Sequence, residues 1–306
     1  MSDDVLRDLQ YLRDLRSQGL PEEELARALL DLTLQAAPPD VADAVRVCAI
    51  PAWFDAELLA LLLATPPGKL RNLTPRPPSL SGKGEFPPLL VGEGPGERLL
   101  EIAALLEQVA AFSFVQPREA GGYVYHEATR ARLLDWWREA ENRQRFAALN
   151  ERLAQHYLAL AREQRRRLSG PDFLDALTVM DAAYPNVRAA WEGAVETDNW
   201  ELLRDFAYLA DYQAQLALWK EKLVWAEKGL AACERLNDRA GQADMQIILG
   251  NAYADLPTGE RAANLHKAIA CYEEALRFRT PQAAPLDYAG TQNNLALTYA
   301  QLLTGD

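Results

Sequence analysis

Gln246-Ile247-Ile248-Leu249-Gly250-Asn251-Ala252-Tyr253-Ala254-Asp255-Leu256 and Gln292-Asn293-Asn294-Leu295-Ala296-Leu297-Thr298-Tyr299-Ala300-Gln301-Leu302 are two copies of one pattern, set 46 residues apart. A small residue follows each leading leucine, and a tyrosine comes three positions later. Between the copies lies Ala268-x-x-x-Tyr272-x-x-Ala275, whose spacing places small and aromatic side chains on one face of a second helix. The turn after the first copy, Leu256-Pro257-Thr258-Gly259-Glu260, is echoed by Leu302-Leu303-Thr304-Gly305-Asp306. Recurrence at this period signals stacked helical pairs rather than one closed bundle.

The pattern resembles a tetratricopeptide array with a lengthened turn. That resemblance assigns Gly250 and Ala296 to close helix approach, Tyr253 and Tyr299 to filling inter-helix space, and Ala268 and Ala275 to the facing helix. Upstream, Leu209-Ala210, Trp219, Trp225-Ala226 and Gly229-Leu230 read as a more divergent pair, with both tryptophans packing between helices. An array of such pairs forms a quasi-linear scaffold, and its ordinary product is a surface for a peptide or a protein. On this register the inner face carries Ile247, Asn251 and Asp255, then Asn293, Leu297 and Gln301. Asparagine can pair with both groups of an extended backbone, Asp255 suits a basic side chain, and Leu297 suits an apolar one. The alternative is a solvent-facing polar surface with no dedicated ligand. The echo at the end of the sequence reads as a repeat cut in mid-unit.

Working back from the array, residues from Phe146 onward are patterned as helices, with breaks expected at Ser169-Gly170-Pro171, Tyr184-Pro185-Asn186, Asp198-Asn199 and Asn237-Asp238. At the other end, Val5, Leu6, Leu9, Leu12 and Leu15 form an apolar stripe closed by Gly19. Pro21 then opens a second helix with Leu25, Ala26, Leu29 and Leu30. Val41, Ala44, Val45 and Cys48 mark another helix, interrupted by Pro51. Asp55 is placed to cap a fourth, bearing Leu58, Leu59, Leu62 and Leu63. A helix over 97–111 precedes Phe112-Ser113-Phe114-Val115, which pairs as a hairpin with Tyr123-Val124-Tyr125-His126. Helices followed by a hairpin outline a winged helix.

Residues 66–96 interrupt this outline, holding eight of the 18 prolines and six of the 17 glycines. So many missing donors and so high an ordering entropy point to a dispensable insertion. Pro75-Arg76-Pro77-Pro78 alternatively offers a polyproline ligand. Gly82-Lys83-Gly84 lacks the remainder of a phosphate loop. Leu73–Pro78 and Gly84–Gly94 resemble a translated bacterial interspersed repeat, so replacing 66–96 by a short linker is expected to leave unfolding cooperative.

The composition narrows the function. With 306 residues, 49% of them hydrophobic, and a net charge of −12, the chain is an ordinary globular protein. The insertion is itself basic, so the remainder is more acidic still, which opposes nucleic-acid binding. Glu97, Glu101 and Glu107 outnumber Arg98 on the helix that would read DNA. The Arg162, Arg165, Arg166 and Arg167 cluster reads as a solvated helix end. Three scattered cysteines suit a reducing compartment, and nothing at the start resembles an export signal, so a cytoplasmic location is expected. No run of apolar residues is long enough to span a membrane. His126, His156 and His266 form no metal motif, no nucleophile elbow is present, and no carboxylates are paired by spacing. The reading is non-enzymatic, with no cofactor or metal.

Cys48-Ala49-Ile50-Pro51-x-Trp53-Phe54-Asp55, the hairpin ending in Tyr125-His126-Glu127-x-x-Arg130 and the array after it together resemble the winged-helix and repeat portions of STAND-class signalling ATPases. The match covers roughly residues 40–65 and 97–306. It implies that His126, with Glu127 and Arg130, acts as a nucleotide or interdomain sensor; the alternative is structural hydrogen bonding or packing. No phosphate loop precedes the winged helix, and the first 40 residues are too few for such a domain. The expected organisation is mainly α. A helical hairpin spans 1–39 and a winged-helix-like domain 40–140, with the insertion at 66–96. A helical connector follows over 141–198, then a tetratricopeptide-type solenoid over 199–306. Three functions are expected in order: a regulatory scaffold binding a protein or peptide; the sensor portion of a split or truncated STAND ATPase or protease system, its effector in cis beyond Asp306 or in trans; and a winged-helix transcriptional regulator.

Overall fold

The computed structural model describes residues 21–64, 95–168, 170–215 and 217–304. The N-terminal half of the expected hairpin, nearly all of the 66–96 insertion and the final Gly305-Asp306 lie outside the described residues. The described chain is mainly helical, with thirteen helices and one two-stranded hairpin. It divides into two compact units, one of residues 1–156 with 181–190, the other of 157–180 with 191–306.

In the first unit α1 (Glu22–Ala36) packs on α2 (Pro39–Val47), and α2, α3 (Ala56–Leu63) and α4 (Pro95–Ala110) pack on one another. The Asp55 carboxylate caps α3 as its position foretells, accepting the Leu58 N–H at 2.8 Å. The strands β1 (Val115–Pro117) and β2 (Tyr123–Tyr125) run antiparallel, Val115 opposite Tyr125. The first strand begins three residues later than the expected Phe112, because Phe112–Phe114 turn off the end of α4, while the second begins at Tyr123 as expected. Phe54 adds a bridge on the far side of Tyr123, its N–H bonding the Tyr123 carbonyl at 2.9 Å with the reverse bond at 2.7 Å. Gly122 makes this approach feasible: its φ is +74°, and a Cβ there would lie 2.7 Å from the Phe54 carbonyl oxygen.

The core beneath is Val45, Phe54, Leu59, Leu62, Val109 and Leu133, all buried. Buried aromatic residues tie it to backbone, the Tyr125 hydroxyl donating to the Val45 carbonyl and Trp137 Nε1 to that of Arg46, both at 2.8 Å. Cys48 is buried here, and burial pushes its thiol well above the ordinary range.

Beyond the hairpin come α5 (Glu127–Arg138), α6 (Arg143–Arg167) and α7 (Phe173–Glu196). The break expected at Tyr184-Pro185-Asn186 is absent, for Pro185 sits inside α7. Proline removes one donor from a helix, and here it lies on an exposed face, while buried Tyr184, Asn186 and Val187 hold the segment in place. Both α6 and α7 contribute residues to each unit.

The second unit continues through α8 (Trp200–Ala207), α9 (Ala210–Gln215), α10 (Trp219–Arg235), α11 (Arg239–Asp255), α12 (Arg261–Leu276) and α13 (Pro285–Thr304). Each helix from α10 to α13 packs on the next, α10 also takes α8 and α9, and α13 reaches α11. Loops of a few residues between such neighbours make them antiparallel. Capping ends them cleanly: Asp238 accepts from Gly241 N–H at 2.8 Å, and Glu260 from Ala263 N–H at 2.9 Å. Trp225 anchors the first layers, stacked on Trp191 with centroids 5.0 Å apart and edge-on to Phe206 at 5.8 Å. Ala268, Tyr272 and Ala275 are buried, as the small–aromatic–small spacing foretells.

Candidate functional site

The contact between α11 and α12 centres on Gly250. A Cβ there would lie 2.4 Å from Tyr272 Cε1, so the helices meet at a distance only glycine permits. The Tyr272 hydroxyl donates to Asn251 Oδ1 at 2.7 Å, and Asn294 Nδ2 of α13 donates to the same oxygen at 3.1 Å. Burial, chiefly, raises the Tyr272 hydroxyl pKa. Asn251 is therefore a three-helix tie, and its oxygen is already engaged within the protein.

The other first-helix residues part company. Asp255 and Gln301, one repeat apart, both line an open cleft of about 420 Å³ with Trp219, Ala254, Leu256, Pro257, Gly259 and Arg261. Ile247 is half-buried and outside it; Asn293 is exposed, and Leu297 is 56% exposed. The sequence pattern thus names two of the lining residues. It assigns Trp219 to packing, whereas the ring is half-buried in the cleft wall, and it passes over Arg261. The signal for Arg261 was a cation one residue after a capping glutamate, at the start of the helix where it opposes the dipole.

The cleft is lined by both polar and apolar side chains. Lys222, its side chain only 5% exposed, holds Nζ 3.8 Å from Asp255 Oδ2 and 5.8 Å from the Trp219 ring centre. Asp255 itself keeps about half its side-chain surface in solvent. Arg261 donates to the Ala254 carbonyl and to Gln301 Oε1, the latter at 3.0 Å, and so joins the C-terminal turn of α11 to α13. Leu256 and Pro257 supply the apolar side. Asn264 Nδ2 donates to the Thr258 carbonyl at 2.8 Å, fixing the loop whose Gly259 takes φ +87°. This arrangement can seat an extended segment, offering an indole and proline for apolar contact, a carboxylate for a cation and an amide for backbone.

In the first unit, His126 and Glu127 are exposed at the start of α5, and the imidazole makes no capping bond. Arg130 is turned inward, Nε donating to the Pro51 carbonyl at 3.1 Å and Nη2 to the Ile50 carbonyl at 3.0 Å. Asn186 completes the grip on this loop. Its Oδ1 accepts from Ala52 N–H at 2.7 Å and Trp53 N–H at 2.9 Å, while Nδ2 donates to the Trp53 carbonyl at 3.0 Å. The Cys48–Asp55 stretch and Arg130 are thus brought together. His126 and Glu127 face solvent beside them.

Among the described residues no group of three or more His, Cys, Asp or Glu side chains could hold a metal ion, and no helix is long and apolar enough to cross a membrane. In the arginine cluster, Arg162 pairs with Asp205, Arg166 with Glu163 and Arg167 with Asp172. No family model, curated protein or solved structure matches the chain.

Proposed function

We propose that the protein is a non-enzymatic regulatory scaffold that holds a protein or peptide through its helical-repeat surface, with the Trp219–Asp255–Arg261–Gln301 cleft as the point of engagement. The observation that carries this is the convergence of Asp255 and Gln301, equivalent positions of successive repeats, on one opening beside an indole and an arginine. A tetratricopeptide-type solenoid accounts for the serial packing of α10 to α13. A winged helix accounts for the α2, α3, α4 and hairpin order with its Phe54 bridge. Its acidic balance and the paired arginines favour a protein ligand over nucleic acid: Glu101 and Glu107 lie exposed on α4.

The test is a peptide library screened against the full chain, with the best binder titrated against Trp219→Ala, Asp255→Ala and Gln301→Ala variants. Each substitution is expected to weaken binding at least several-fold while the fold persists. Binders indifferent to all three would overturn the assignment. A second reading, the sensor portion of a STAND-type system, draws on the exposure of His126 and Glu127 beside the Arg130-held loop. It requires ATP to bind the full chain and His126→Ala to abolish that binding.

A further inference from the structure

The polar groups of the Trp219–Asp255–Arg261 cleft are unevenly divided between donors and acceptors, and the division limits what can occupy it. The Arg261 guanidinium donates to the Ala254 carbonyl and to Gln301 Oε1, so those two acceptors are engaged. The Thr258 carbonyl of the adjoining loop is taken by Asn264. Among the side chains that line the cleft, the Asp255 carboxylate remains as an acceptor, with about half its surface in solvent. Lys222, whose side chain is 5% exposed, lies 3.8 Å from that carboxylate and adds a second cation.

An extended segment of ordinary sequence would bring as many N–H groups as carbonyls into this space, and each N–H buried without an acceptor costs free energy. A proline-rich segment supplies carbonyls without N–H groups, enters already extended, and lays its rings on an indole. Trp219, Leu256 and Pro257 provide the apolar wall for those rings. The carboxylate adds a further requirement. Lys222 Nζ stands 5.8 Å from the Trp219 ring centre and 3.8 Å from Asp255 Oδ2, so ring and carboxylate lie within about 10 Å, the span of one polyproline II turn. A cation one turn from a proline therefore meets Asp255 as the proline meets the indole.

We infer that the cleft is the docking site for a proline-rich segment of another protein, carrying an arginine or lysine one polyproline turn from a proline. The inference rests on the cleft reading above and narrows it to one class of ligand. A net charge of −12 draws a basic segment and repels an acidic one. Trp219 and Lys222 begin α10, Asp255 ends α11 and Arg261 begins α12, and each of these helices has its successor packed on it. The site therefore does not rest on the outer face of α13.

The experiment titrates the full chain with three capped peptides of equal length: an oligoproline with a central arginine, the same peptide with glutamate in its place, and an alanine–serine peptide that keeps the arginine. The first is expected to bind about fivefold or more tighter than either of the others. Asp255→Asn should remove the preference for arginine over glutamate, and Trp219→Ala the preference for proline over alanine, with circular dichroism unchanged. The comparison of the three peptides uses the unaltered protein, so it stands even where a variant unfolds. An alanine–serine peptide bound as tightly as the oligoproline would overturn the inference, the occupant then being an ordinary extended segment. A glutamate peptide bound as tightly would overturn it too, as would tight binding that neither folded variant alters. A library-selected peptide that needs Trp219 and Asp255, with no binding by the arginine oligoproline, leaves the cleft reading standing and this inference refuted. If no peptide needs either residue, both fall.

Discussion

Replacing Gly250 by alanine sets two effects of known sign against each other. Alanine is favoured over glycine within a helix by about 1 kcal/mol, so the substitution would strengthen α11 taken alone. In the folded unit the new methyl would stand 2.4, 2.7 and 2.8 Å from three atoms of the Tyr272 ring, which is buried and whose hydroxyl is held by Asn251. Overpacking of this kind costs about 1–3 kcal/mol, and a ring fixed at its far end has little room to retreat. With the ring so fixed the upper half of that range applies, and less the helix gain it leaves an expected net loss of about 1–2 kcal/mol. Removing the ring reverses the sign. Tyr272→Ala alone should cost about 3–5 kcal/mol, but adding Gly250→Ala to it should restore about 1 kcal/mol, giving a coupling of about 2–3 kcal/mol. Because the chain has two compact units, the cycle is best read by hydrogen exchange of α11 and α12 amides, with urea unfolding alongside. If Gly250→Ala has the same sign in both backgrounds, the close approach is not what requires glycine.

Asn186→Ala should destabilise the first unit by about 2–4 kcal/mol, because two N–H groups and one carbonyl of the 52–53 loop lose their partner; urea unfolding checks this. Arg130→Ala should likewise lower the unfolding midpoint, whereas His126→Ala should leave it unchanged. Burial holds the His156 imidazole below its ordinary pKa of 6.5, against a smaller opposing pull from Asp55. The folded state thus resists a proton that the unfolded chain accepts, so stability is full above pH 6.5 and declines as pH falls below it. His156→Gln should flatten that decline in urea midpoints measured from pH 7.5 to 5. Burial pushes the Cys233 and Cys271 thiols up to about 11, so alkylation at pH 8 should be slow until urea unfolds the chain.

The close contact of α11 with α12 was legible because its signal is local: a small residue, an aromatic and their spacing lie within a few turns of helix. Gly250, Ala268 and Ala275 take the places their spacing implies. Tyrosine was read at the wrong position, since Tyr272 fills the space beside Gly250 while Tyr253 and Tyr299 remain partly in solvent, bonded to glutamates of the preceding helix. One-residue spacing cannot say which of two aromatic residues faces inward when both lie near the same seam. Pro185 misled for a related reason: the sequence shows the lost donor but not the buried neighbours among which α7 continues through it. The cleft was half visible. Asp255 and Gln301 share a register position, but Trp219 and Arg261 reach it through loop geometry that no periodicity encodes. The Phe54 bridge and the Asn186 contacts join residues 69 and 133 positions apart, beyond any local pattern.

Asn186 also has a consequence for the order of events during synthesis. The segment that grips Ala52 and Trp53 is translated more than a hundred residues after them, and the first unit includes residues 181–190 from the middle of α7. A nascent chain that has emerged only as far as His156 lacks that clamp. A first unit formed at that stage therefore lacks these contacts, and its completion is coupled to the arrival of a helix that also contributes to the second.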